Sequence, residues 1–196
     1  GRIFGRISEC WVASGCSEAY DMVRDAVDGN PELLNFLSAK TGKPQTPESV
    51  RQHIETNLLR EFLRSFQEQP PRIRGNFGGT HYAYALTGLV LNDAGALGWL
   101  YSPDWGENLE RIFTHYISPD GMGAEGSPGY SIGWTSAFLA LADLLERTSL
   151  GRKFSLYQRY GKTLRQMALA PRRLICLERF TPNIGDNGTC GMAGII

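Results

Sequence analysis

Three residues of this chain combine a reactive side chain with a polar, glycine-rich setting: Asn76, His81 and Tyr130. The Asn76 amide can donate two hydrogen bonds to an anionic oxygen. An imidazole at His81 can take up a proton or neutralise a carboxylate. A tyrosine titrates near pKa ~10, and a neighbouring arginine or imidazolium favours its phenolate, which would make Tyr130 a usable base. Asn76 and His81 belong to Arg72-Ile-Arg-Gly-Asn-Phe-Gly-Gly-Thr-His81, and Tyr130 closes Asp120-Gly-Met-Gly-Ala-Glu-Gly-Ser-Pro-Gly-Tyr130. Such flexible backbone is expensive to order, so chemistry is one reason for a protein to keep it. A structural role competes at two of these positions. His81 also reads as a helix-start histidine with a satisfied hydrogen bond, and Tyr130 as a core aromatic with a bonded hydroxyl.

The neighbours of these residues are less reactive. Glu125 reads as a brace that accepts backbone N–H bonds, and Gly126-Ser-Pro-Gly129 as the turn that presents Tyr130. Ser127 lacks the setting of an activated nucleophile, and no GxSxG, P-loop, dinucleotide fingerprint or HExxH occurs. A third polar stretch, Arg179 to Gly188, offers Asn183 and Asp186 as substrate contacts, with a turn-rich linker as the plainer reading. His53 and His115 fall on amphipathic helices and read as surface residues.

The elements that must hold these loops are helices. Pro47 to Phe66 carries apolar residues on one face, with Thr46 as N-cap and Pro47 at the first helical position. Thr80 to Leu91 is apolar nearly all round, Asp104 to Ile117 is amphipathic, Tyr130 to Arg147 is again apolar, and Phe154 to Leu169 returns to one stripe. Ser17–Val27 and Pro31–Ala39 read as an earlier hairpin. Few segments read as strands, so the class is all-α. Alternating amphipathic and buried helices are expected of hairpins closing into two concentric rings, with a flat bundle as the alternative. In the ringed arrangement the loops entering the inner helices share one end, which gathers 72–79, 118–129 and the stretch after Arg179 at one mouth. The linker Ser8–Cys16 is expected to join them.

With 196 residues and 21.7 kDa, the chain fits one domain. Twenty basic residues balance twenty acidic ones, so no overall field points to nucleic acid or a membrane surface. No apolar run approaches the ~20 residues that span a bilayer. The four cysteines, Cys10, Cys16, Cys176 and Cys190, have neither CxxC nor zinc-like spacing and read as buried or free thiols. The apolar ending Gly191 to Ile196 reads as the cut edge of a longer protein.

Together the motifs resemble the heparinase II/III-like polysaccharide lyases, including related alginate lyases. The resemblance rests on Gly75-Asn-Phe-Gly78 with His81 and an apolar helix, on Asp120-Gly with Glu125-Gly-Ser-Pro-Gly-Tyr130, and on Pro182-Asn-Ile-Gly-Asp186. It implies an incomplete α/α toroid, with residues 1–196 supplying part of the helical catalytic domain and a downstream β-sandwich missing from this chain. It also implies β-elimination in an acidic, uronate-containing polysaccharide by a secreted or periplasmic enzyme. Asn76 then corresponds to the carboxylate neutraliser, His81 to its partner or base, and Tyr130 to the catalytic tyrosine. Arg72, Arg74, Glu125, Trp134, Asn183 and Asp186 become substrate contacts. The resemblance assigns no metal or other cofactor to this chain; a structural metal would belong to the β-sandwich. Full turnover is expected only with the downstream domain. In this sequence Gly78-Gly79-Thr80 separates the asparagine motif from His81, a wider spacing than relatives commonly have. Two other readings stand beside it: a glycoside hydrolase using Asp120, Glu125 or Asp186 as a carboxylate pair, and a glycan-binding domain without chemistry.

Overall fold

A computed structural model describes residues 8–68, 78–176, 181, 182 and 184. The described residues form an all-α protein, without a strand beyond one isolated bridge between Ile117 and Gly123. Ten helices follow in order: α1 (Ser8–Val23), α2 (Pro31–Thr41), α3 (Pro47–Ile54), α4 (Arg60–Glu68), α5 (Gly79–Val90), α6 (Ala94–Trp99), α7 (Leu109–Arg111), α8 (Pro128–Glu146), α9 (Ser149–Arg152) and α10 (Leu156–Arg173). A π-helical segment, Glu55–Leu59, joins α3 to α4, so the single helix expected from Pro47 is continuous but locally widened.

Local chemistry accounts for most helix starts. Thr46 Oγ1 accepts the Ser49 N–H at 3.2 Å while Ser49 Oγ accepts the Thr46 N–H at 2.9 Å, a reciprocal cap followed by Pro47. Thr46→Ala is expected to lower stability by about 1 kcal/mol; a denaturant midpoint equal to that of the parent protein would contradict the cap's role. Asn108 starts α7 by accepting the Arg111 N–H at 3.0 Å, and Ser155 starts α10 through the Gln158 N–H at 3.3 Å. The third helix therefore begins at Leu109 rather than at the expected Asp104. Residues 104–108 are turns, with Trp105 driven into the core.

Side-chain pairs give the helix directions. Cys10 Sγ meets Thr80 Oγ1 at 3.4 Å and Ser17 Oγ meets Thr87 Oγ1 at 2.8 Å, the same offset at both ends, so α1 and α5 run parallel. The start of α5 at Gly78 abuts Ala137 and Phe138, while Leu86, Leu89 and Val90 share a groove with Leu144 and Arg147. Thus α8 is parallel to α5 as well, and begins about two turns beyond it. Helices α4 and α10 run the other way. Gln67 Nε2 donates to Tyr84 Oη at 2.8 Å and Arg60 pairs with Asp93 at 3.2 Å, setting α4 antiparallel to α5. Thr135 Oγ1 donates to the Met167 carbonyl at 3.3 Å and Tyr157 Oη to Asp143 at 2.6 Å, setting α10 antiparallel to α8. Tyr20 Oη donates to Glu55 at 2.6 Å, bringing α1 against the π-helical segment.

The expected linker Ser8–Cys16 is a correction: it is the first half of α1. Cys10, Ala13, Ser14 and Ser17 form its buried face. These small residues let α1 lie close against α5, and their side chains carry little of the hydrophobic signal by which helices are recognised. Cys10, Cys16 and Cys176 form no disulfide, while Cys190 lies outside the described residues.

Candidate functional site

The loop leading into α8 is more ordered by hydrogen bonds than its glycine content suggests. Ser118 N–H donates to the Met122 carbonyl at 2.9 Å, Gly121 N–H to the Ser118 carbonyl at 2.9 Å, and Ala124 N–H to the Tyr116 carbonyl at 2.8 Å. Asp120 accepts from the Ser118 hydroxyl and from the Met122 N–H, and these bonds hold its carboxyl below the usual range. This carboxylate braces a turn. Its bonding favours the charged form, the opposite of what a general acid of the hydrolase reading requires.

Two of the loop's glycines have packing reasons. Gly121 has φ +96°, and a Cβ there would come 2.4 Å from the backbone of Gln166 in α10. A Cβ on Gly123 would come 2.7 Å from the Trp134 indole. Gly121→Ala is expected to cost about 2–3 kcal/mol, through backbone strain and overlap with an unyielding helix. A thermal midpoint unchanged by that substitution would refute the contact.

Trp134 is 2 % exposed and lies in the core beneath this loop. Its expected role as a substrate contact is corrected accordingly: the indole supports the loop and presents no face to a glycan. Glu125 is exposed beside Gly126, whose N–H closes a turn onto the Gly123 carbonyl at 3.1 Å. Tyr130 is half-buried in the first turn of α8. It lies two turns before Ala137 on nearly the same helical face, and Ala137 is the residue that meets Gly78. The face carrying Tyr130 is therefore the one that continues past the start of α5.

His81 occupies the first turn of α5 and is completely buried. Its Nε2 lies 2.7 Å from the Glu107 carbonyl, to which it donates, and its Nδ1 accepts the Gly78 N–H at 3.3 Å. The ring stacks on Trp105 with centroids 4.4 Å apart and planes 5° from parallel. Burial pushes its pKa down to about 4, against the smaller opposing effect of the Glu107 bond. This is the bonded helix-start histidine of the competing reading. Both nitrogens are committed to backbone groups and the ring has no solvent-facing surface, so a direct role as base would require those bonds to break.

Gly78 has φ +88°, and any Cβ there would strike Ala137 Cβ at 2.6 Å. His81, Gly78, Ala137 and Trp105 together pin the entry to α5 between α8 and the turn before α7. Sequence reasoning missed this assembly. Its signal was the Gly78–His81 spacing, which allows a side chain in the first helical turn to bond back to the residue before the helix.

Asn76, Arg72, Arg74, Asn183 and Asp186 lie outside the described residues. His53 and His115 are exposed, as expected for surface histidines. Among the described residues no group of His, Cys, Asp and Glu is arranged to hold a metal ion, and no helix is long and apolar enough to cross a membrane. No family model, curated protein or solved structure matches the chain.

Proposed function

We propose that this chain is part of the helical catalytic domain of a polysaccharide lyase that cleaves uronate-containing glycans by β-elimination. The observation that carries the reading is the placement of Tyr130 in the first turn of α8, behind an ordered loop and on the face that extends beyond the start of α5. Helix starts carry partial positive charge and favour anions. A uronate carboxylate held there would lie beside the tyrosine and past the start of α5, which Asn76 precedes by three residues in the sequence.

The parallel set α1, α5 and α8, backed by antiparallel partners, supports an incomplete α/α toroid as the frame. In this mechanism the Asn76 amide binds the uronate carboxylate and stabilises the charge that builds up as the C5–H bond breaks. A base takes the C5 proton, the electron pair forms the C4–C5 double bond, and the C4–O4 bond breaks. Tyr130 delivers a proton to the departing O4. His81 serves as a positioning residue: it holds Gly78, two residues from Asn76, and remains neutral at working pH.

The test is incubation of the protein containing this chain with alginate, chondroitin and heparan sulfate, followed by ultraviolet absorbance. Elimination gives an unsaturated, absorbing product. New reducing ends without that chromophore would replace the lyase reading with a hydrolase, and binding with neither signal would leave a glycan-binding domain.

A further inference from the structure

A cavity of about 550 Å³ opens over α5, between α1 and α8, well away from the loop that carries Tyr130. Leu86, Leu144, Tyr82, Glu18 and Arg147 are among the residues that line it. Tyr82 feels both charged groups: its hydroxyl is raised by burial and by the Glu18 carboxylate, and lowered by the Arg147 guanidinium. Arg147 is exposed and makes no ion pair or side-chain hydrogen bond among the described residues. Trp11, two helical turns before Glu18 on the same face of α1, is 71 % exposed. The other three tryptophans are buried or half-buried.

An apolar floor, the Tyr82 ring and a few convergent polar groups are the make-up of a small-ligand site, and the volume lies within the usual range. The flat C–H face of a sugar ring suits an indole, its hydroxyls suit Tyr82 and Glu18, and a carboxylate suits Arg147. We infer that this groove is a second glycan subsite, in which a uronate carboxylate pairs with Arg147 and a further sugar of the same chain, about 10 Å away along α1, stacks on Trp11 beside the groove. The inference rests on the acidic-glycan reading above and deepens it. Tyr130 lies on the same long helix as Arg147, about 25 Å away along its axis. The subsite therefore grips a remote part of a long substrate and leaves the reacting sugar untouched.

Trp11 makes this measurable without turnover. Acrylamide quenching of tryptophan fluorescence would be followed in the Tyr130→Phe protein with tetrasaccharides of alginate, chondroitin and heparan sulfate, and with cellotetraose as the neutral control. At least one uronate tetrasaccharide is expected to shield an accessible tryptophan that disappears in Trp11→Phe, and Arg147→Ala is expected to weaken that binding about tenfold. In the active protein, Trp11→Ala should raise KM for polymer about tenfold with kcat unchanged, and Trp11→Tyr should recover most of the loss.

Equal shielding by cellotetraose, no shielding by any uronate, or wild-type binding in Arg147→Ala would each overturn the subsite. So would a Trp11 already shielded in the unliganded protein, since another stretch of protein would then occupy the indole face that the sugar needs. The two readings fail separately. Shielding without any unsaturated product removes the lyase and leaves the subsite, whereas elimination with normal KM in both variants does the reverse.

Discussion

Tyr130→Phe is expected to reduce elimination by a factor of about 10²–10⁴ while leaving the fold intact. The substitution removes one oxygen from a half-buried side chain at the start of α8, and the loop before it is held largely by backbone bonds and by Asp120. Losing a proton-transfer group costs that much when it acts in the transition state. Because the phenol is assigned to protonation of the leaving oxygen, kcat should fall far more than KM rises. The product to follow is the unsaturated uronate, with tetrasaccharide affinity and the melting temperature measured alongside. Undiminished elimination with a normal melting temperature would remove Tyr130 from the mechanism. A loss accompanied by a large drop in stability would place it in the core instead.

The chain's periodicity made the long helices legible because burial was written into it. Val50, Ile54, Leu58 and Phe62 mark one face of the α3–α4 stretch, and Thr46-Pro47 marks its start. The apolar α5 and α8 became the parallel helices that other elements cover. What escaped was structure made without a hydrophobic stripe. The first half of α1 packs through cysteine, serine and alanine, and its neighbours are chosen for size rather than hydrophobicity. Short α6 and α9 depend on single caps, Asp93 and Thr148. The π-helical segments, Glu55–Leu59 and Ile112–Tyr116, have no signature separate from the α-helices that they interrupt or continue.

The site was legible to a similar depth. Sequence could mark the Tyr130 loop as unusual, and it kept two readings of His81 side by side. It could not show that Trp134 faces inward, because a helix buried on most sides hides which face is covered. Nor could it show that Gly121 and Gly123 serve α10 and Trp134 by close approach. The exposed Trp11 follows from the same limit: only the placement of α1 separates a core tryptophan from one left open beside a groove.

His81 makes the second large prediction, in stability and in pH. His81→Ala removes a fully buried ring, its stacking on Trp105, the donor to the Glu107 carbonyl and the acceptor of the Gly78 N–H. A core cavity together with two lost buried hydrogen bonds is expected to cost about 3–5 kcal/mol. The pH dependence has a definite direction. An unfolded-state histidine titrates near 6.5, and burial lowers the folded pKa to about 4. Between these values the unfolded chain binds a proton that the folded protein refuses, so folding stability is complete above about pH 6.5 and is lost as the pH falls towards 4. The separation between these two values corresponds to about 3 kcal/mol. Urea unfolding between pH 7.5 and 4 should show this slope in the parent protein. It should be reduced in His81→Gln, where the amide can retain one backbone bond without titrating in this range. His53 and His115 are exposed and remain in both proteins. An identical slope in His81→Gln would assign the acid sensitivity to other groups. A pH–rate profile governed by a histidine titrating near neutrality that vanishes in His81→Gln would instead restore the imidazole to the chemistry, since a buried, doubly bonded neutral ring has no proton to exchange there.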